Sequence, residues 1–323
     1  MTRRRCFNAA LLAWMLPGEG ARAQPATRPM RIGYLADASP SSAETRVPVE
    51  TFRAEMQRLG WTEGRDLDYA YCFADGNPNR FAGFMRELVA LRVDLIAAMT
   101  TDAALAAQEA TSIIPIVFIA ARPIENGLVA SLRHPGGNLT GVDALVDLLL
   151  NRRLQLLAQT VPGLTRIAFL TRDDSGAVAR ARAAAGALGL ELVVAPIDSP
   201  DDLQPTPASA PAQADAWLVD DVALSEPHRR RIVESAAAQR LPAMYASLPW
   251  VHDGGLMAYA ADESDMLQRA AGHADRILRG ARPGELPIDE PSRFVLGVNL
   301  GTARRIGIKI ADSLLLQASE AIE

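Results

Sequence analysis

Several residues of this chain pair polar chemistry with a position just beyond a short apolar run: Ser39, Thr100, Thr101 and Arg122 in the first half, and Asp173, Asp220 and Ser247 in the second. Hydroxyls and backbone N–H groups at helix starts attract anions, so Ser39, Thr100 and Thr101 suit a carboxylate. Arg122 offers a planar fork to the same group, whereas Asp173 and Asp220, with Asp221, suit an amine. Tyr34, Phe73, Trp250 and Tyr259 supply aromatic walls. Such a set captures a small organic solute without transforming it. Plainer readings stay open: Thr101-Asp102 as a helix cap, Arg122 as a cross-link between lobes, each acid as a solvated loop residue, each aromatic as core packing. The chain has no G-x-S-x-G elbow, P-loop, H-E-x-x-H or paired-cysteine motif. His134, His228, His252 and His273 lie too far apart in sequence for metal spacing, and Gly136-Gly137 precedes a strand where a dinucleotide fingerprint follows one. No enzyme activity, metal or cofactor is expected.

These residues need a scaffold that brings loop ends together. Short apolar runs alternate with amphipathic ones, the rhythm of a parallel sheet with crossover helices. Strands are predicted over 31–36 (RIGYLA), 67–73, 93–99 (VDLIAAM), 114–120 (IPIVFIA) and 139–142. Helices are predicted over 49–59, 81–91 and 101–111, with a short one over 127–132 and a turn at Pro135-Gly136-Gly137-Asn138. A second cycle follows. Its helices are predicted over 145–160, 175–188, 227–239 and 265–278, and its strands over 166–171, 190–197, 216–220, 243–245, 255–260 and 293–299, before a final helix. Pro205, Pro207 and Pro211 forbid a regular helix over 201–215. Two successive α/β cycles imply two Rossmann-like lobes with parallel sheets. Ligands of such sheets sit beyond the carboxyl ends of the strands, where the polar residues above fall.

The compartment is written at the start of the chain. Arg3-Arg4-Arg5, an apolar run over 9–16 and Ala21-Arg22-Ala23 follow the order of a secretory signal peptide cleaved after Ala23. Arg4-Arg5-Cys6-Phe7 also fits a twin-arginine signal, so the export route stays open. The apolar run is far shorter than the roughly 20 residues of a membrane-spanning helix. Cleavage turns 33 basic and 38 acidic residues into 29 and 37, moving the formal charge from −5 to −8 and disfavouring nucleic acid as a partner. It also leaves Cys72 alone, without an internal disulfide. About 300 remaining residues exceed one core, and a composition 49% hydrophobic but only 5% aromatic favours helices on sheets over a β-sandwich.

Six stretches, in this order and spacing, carry a resemblance: FRAEMQRLGWTEGR (52–65), AALAAQEATSIIPIVF (103–118), GLVASLRHPGGNLTG (127–141), residues 153–164, GGLMAY (254–259) and residues 294–307. The chain resembles the tryptophan/tyrosine-type periplasmic substrate-binding proteins of ABC transporters, from Arg31 to Glu323. The resemblance implies a type I periplasmic-binding fold, two lobes joined by three crossovers with a solute cleft between them. Its expected parts are residues 1–23 as signal peptide, 30–143 with 263–290 as the N-terminal lobe, and 144–262 with 291–323 as the C-terminal lobe. It also implies hinge closure on an amino-acid-like, aromatic or carboxylate solute, a monomer in the periplasm, and an ABC permease with its ATPase as partners. A sensor feeding a membrane signalling receptor is the alternative. Two departures stand at the presumed cleft: Arg122-Pro123-Ile124 where relatives carry Asp-Pro-Val, and Arg172-Asp173-Asp174 where they carry an Asn-Pro turn.

Overall fold

The computed structural model describes residues 7–8, 28–40, 42–171, 176–197, 213–219 and 226–323. The chain divides into two compact units, Met1–Ala144 with Glu263–Pro291 and Leu145–Asp262 with Ser292–Glu323, so the backbone passes between them three times.

In the first unit the segment β1 (Phe7–Asn8) pairs antiparallel with β3. Then come β2 (Met30–Ala36), α1 (Ala43–Arg58), β3 (Leu67–Phe73), α2 (Phe81–Ala90), β4 (Leu95–Ala98), α3 (Thr101–Ala110), β5 (Ile116–Ala120) and β6 (Leu139–Asp143). The sheet order is β1-β3-β2-β4-β5-β6, and all pairs except β1 with β3 are parallel. Strand side chains point alternately to opposite faces, and here both faces are covered. Leu35, Cys72, Ile96 and Phe118 pack on α2 and α3 through Phe84, Leu88 and Ala104. Ile32, Tyr34, Leu95 and Val117 pack on the other side with Phe52 and Met56 of α1.

The second unit opens with α4 (Val146–Thr160), β7 (Arg166–Thr171), α5 (Ala177–Ala187), β8 (Glu191–Pro196), β9 (Ala216–Val219), α6 (Glu226–Ala238), β10 (Ala243–Tyr245), α7 (Leu248–His252) and β11 (Met257–Ala261). Helix α8 (Glu263–Leu278) then returns to the first unit. Its Leu267, Ala270, Ala271 and Ala274 complete the face that α1 covers. The last elements, β12 (Phe294–Asn299), α9 (Leu300–Ile306), α10 (Asp312–Leu315) and β13 (Glu320–Ile322), belong to the second unit. Its sheet order is β13-β12-β11-β10-β9-β7-β8, with β12 antiparallel to β11 and the other pairs parallel. Both of its faces are buried, by α4, α5 and α9 on one side and α6 and α7 on the other.

Three expectations are corrected. Helix α1 begins at Ala43, six residues before the predicted start, and keeps Pro48 inside it. A proline that early in a helix forfeits one backbone bond, which the apolar face containing Phe52 and Met56 offsets. No helix forms over 127–132. Gly127 adopts φ 72°, and the N–H groups of Leu128 and Val129 both donate back to Pro123 O, closing turns. The single final helix is two helices and an edge strand, because Gly307 at φ 81° stops α9. Cys72 is buried and disulfide-bonded in the full-length chain, a state that the expectation for the chain without residues 1–23 does not concern. Most of the proline-rich stretch 201–215 lies outside the described residues. No helix among the described residues is long and apolar enough to cross a membrane.

Candidate functional site

Strand order identifies the important edge of each sheet. In the first unit the chain leaves β2 for β3 on one side and then returns to β4 on the other. The connections after β2 and β4 therefore diverge, and a crevice opens at the carboxyl ends of those strands. Ser39 follows β2, and Thr100 and Thr101 follow β4, so the fold brings these three to one switch point. Ser39 O accepts from both the N–H and the hydroxyl of Ser42 (3.0 and 2.8 Å), forming the turn that leads into α1.

Thr100, not Thr101, caps α3: its backbone is extended, and its Oγ accepts from Ala103 N at 3.2 Å. Thr101 Oγ accepts from Ala121 N at 3.0 Å and ties the start of α3 to the loop after β5. Each hydroxyl uses a lone pair in its bond and keeps its own proton to donate. A carboxylate at this edge would also meet the free N–H groups and the dipole of α3, with Asp102 in the first turn opposing it.

Arg122 leaves β5 in a left-handed conformation, φ 49°. The loop is held on both sides of it, because Asn126 N donates to Arg122 O at 3.0 Å and Asn126 Nδ2 to Ala121 O at 2.7 Å. A non-glycine residue in this region costs about 1–2 kcal/mol, so an arginine is kept where glycine would fit more easily.

In the second unit the order β8-β7-β9 puts the switch point at the ends of β7 and β9. Asp173 and Asp220 follow these strands in sequence but lie outside the described residues. Ser247, two residues past β10, occupies the N-cap position of α7 without making a side-chain cap bond. Tyr259 sits in the middle of β11, not at a strand end. Its ring stacks on Phe294 (centroids 6.0 Å apart, planes at 13°) and lines a recess of about 250 Å3 with Arg152, Leu156, Leu296 and Gln317. Arg152 Nη2 donates to Gln317 Oε1 at 2.8 Å across this recess.

Of the other aromatic walls, Tyr34 and Trp250 are interior, each 1% exposed. Tyr34 meets Phe52 edge-on, and burial pushes its phenol far above the ordinary value, with Glu263 adding to the effect. Trp250 stacks on Tyr245 at 5.0 Å. Phe73 is half-buried and stacked on Tyr71.

Sequence reasoning missed two buried polar groups. Arg153 is 8% exposed and donates to the main-chain carbonyls of Ala246, just past the end of β10, and of Tyr259 in the middle of β11. Beside Arg152 in a helical run, nothing in the sequence distinguishes it. His273, fully buried on α8, lies with Nε2 3.1 Å from Asp289 Oδ2 and with Nδ1 3.0 Å from Arg276 Nη2. Its position on the inner face of α8 was the available signal. Among the described residues no cluster of metal-ligating side chains occurs.

Residues 45–322 match the family model described as ABC transporter substrate binding protein, and the chain belongs to that family. It is similar to the tyrosine-binding protein of Clostridioides difficile (strain R20291), 22% identical over 263 residues that span 80% of this chain and 76% of that one. A conserved domain protein of Vibrio cholerae has a TM-score of 0.81 at 21% identity, covering 90% of this chain and 99% of that one. An ABC domain from Streptococcus pneumonia in complex with L-Trp has a TM-score of 0.80 at 23% identity, covering 91% and 100%. The fold is that of the type I periplasmic binding proteins.

Proposed function

We propose that this member of the ABC transporter substrate-binding family is the extracytoplasmic capture subunit of an importer, taking an amino-acid-like solute that carries a carboxylate and an aromatic or other apolar side chain. The observation that supports the reading is the adjacency of β2 and β4, the strands after which Ser39 and Thr100-Thr101 follow at the switch point of the first unit, in a chain matched to this family over residues 45–322. The tyrosine and L-Trp of the two similar proteins support the solute class.

In this reading Thr100, Thr101 and Ser39 donate to the solute carboxylate, and Arg122 adds charge. Asp173 and Asp220 receive the ammonium from the second unit, and Ser247 and Tyr259 complete the set. The two units close on the solute by bending at the three crossovers, because only the closed form lets it touch both. A permease with its ATPase reads that closed form, and the solute leaves unchanged. Residues 1–23 export the chain and are removed, and the processed protein acts as a monomer.

A thermal-shift screen of the processed protein against amino acids, aromatic acids, nucleobases and simple carboxylates tests the reading, with calorimetry on each hit. A true ligand at a hundred times its Kd adds about 2.7 kcal/mol of stability, a shift of several degrees, with one solute bound per chain and none converted. A panel without any shift, or turnover of the bound solute, overturns it.

A further inference from the structure

A buried arginine must find acceptors for its donors, since an unsatisfied charge in the interior is costly. Arg153, on α4 and 8% exposed, donates Nε to Tyr259 O at 2.7 Å and Nη2 to Ala246 O at 2.8 Å. The strand register explains why these oxygens are available. Strand β10 ends at Tyr245, which pairs with Ala258, while β11 continues to Ala261. From Tyr259 onward the edge of β11 that faced β10 has no strand beside it among the described residues. Ala246 is the first residue to leave β10. The guanidinium reaches in from α4 and bridges the end of β10 to the middle of β11, where the ladder between them stops.

Both anchored residues carry candidate binding groups. Ala246 immediately precedes Ser247, whose hydroxyl is not spent on capping α7. Tyr259 directs its ring into the recess it shares with Phe294 and Arg152. We infer that Arg153 is a positioning residue for solute recognition: its buried fork fixes the main chain at Ala246 and Tyr259, and so sets where the Ser247 hydroxyl and the Tyr259 ring stand. The inference rests on the solute-binding reading above and adds a residue that does not touch the solute. Two donors on one rigid plane hold two carbonyls at a fixed separation. A lysine at the same place is a single flexible point charge and cannot do so.

The test compares the intact protein with Arg153→Lys, Arg153→Gln and, as a stability-matched control, Val178→Ala. Val178 is buried on α5 in the same unit. Solute affinity is measured by calorimetry with the best hit of the screen, well below every melting point. Amide exchange is followed in parallel over residues 246–248 and 259–261. Arg153→Lys and Arg153→Gln are expected to lose about tenfold or more in affinity and to exchange at least tenfold faster over those two stretches. Val178→Ala is expected to keep affinity within twofold despite a similar loss of melting temperature.

Unchanged affinity in the Arg153 variants overturns the inference, as does an equal loss in Val178→Ala. Should the wild-type protein bind no member of the panel, the solute-binding reading fails. The exchange rates then judge the inference alone, and unchanged protection in Arg153→Lys overturns it. Failure of both Arg153 variants to fold also overturns it, because Arg153 would then be a folding residue.

Discussion

Arg122 shows how one backbone angle changes the reading of a side chain. Its φ of 49° places it where glycine is favoured, so the side chain is carried at a conformational cost. Strain of this kind concentrates at functional sites. Replacement by glycine removes the left-handed cost of about 1–2 kcal/mol and restores unfolded-chain entropy worth roughly 1 kcal/mol. Arg122→Gly is therefore expected to melt within a few degrees of wild type, while its affinity for a carboxylate solute falls about tenfold, the worth of one charge-assisted hydrogen bond. Calorimetry beside a melting curve checks this, and full affinity removes Arg122 from the site. Thr100 teaches the opposite lesson. The sequence reading gave the cap to Thr101-Asp102 and a ligand carboxylate to Thr100, whereas in the structure it is the Thr100 hydroxyl that accepts from Ala103 N and caps α3.

The elements are fixed by contacts that single residues decide. Gly141 on β6 lies against Phe118 on β5, and a Cβ at that position would stand 2.1 Å from Phe118 O and 2.7 Å from Phe118 N. Neither backbone atom can swing away as a flexible side chain would, so Gly141→Ala must part the two strands. The expected loss is about 3 kcal/mol, the upper range for overpacking, read as a lower denaturant midpoint; a loss under 1 kcal/mol would contradict the close approach.

The return segment after α8 is held along β6 by similar stitching. Asp143 N donates to Asp289 O and Asp289 N to Gly141 O, both at 2.9 Å, and Gly136 N donates to Gly284 O at 3.2 Å. A Cβ on Gly284 would stand 2.8 Å from Gly136 C, which accounts for the glycine at 284, whereas Gly136 is favoured by its φ of 73°. The Asp289 side chain is anchored in turn by His273. That hydrogen bond holds its carboxyl below the usual carboxylate range, against the opposing effect of burial and with help from the charges of His273, Arg276 and Arg269. A depressed carboxylate contributes stability that is fully present above its unfolded value, about 4. The contribution is lost as pH falls through the lower folded value. Because the Asp289 side chain is 35% exposed, solvent screening limits it to about 1 kcal/mol. Asp289→Asn is thus expected to be about 1 kcal/mol less stable than wild type at pH 7, with the gap closing below about pH 4. Denaturant titrations at several pH values check the trend, and a gap that persists in acid speaks against it.

At the scale of the whole molecule, the polarity of the N-terminal segment predicts that protein recovered from the periplasm of an expressing bacterium begins at Gln24. N-terminal sequencing decides this, and a mature protein that retains Arg3 or remains in the cytoplasm contradicts it. Outside residues 1–23, linear pattern was enough to read the alternation of strands and helices, their grouping into two cycles, and the family to which residues 45–322 belong. These properties follow from local periodicity, turn residues and the spacing of recognisable stretches, all of which are one-dimensional. Only the tertiary structure decided which polar groups share an edge. Strand order makes neighbours of the ends of β2 and β4, the strands that Ser39 and Thr100-Thr101 follow. Side-chain direction sends Arg152 to a recess and the adjacent Arg153 into the interior. The antiparallel return of β12 and the addition of β13 were likewise invisible, because strand direction and pairing depend on where a chain comes from in space. Burial and pairing are properties of distant residues brought together, so no local pattern encodes them.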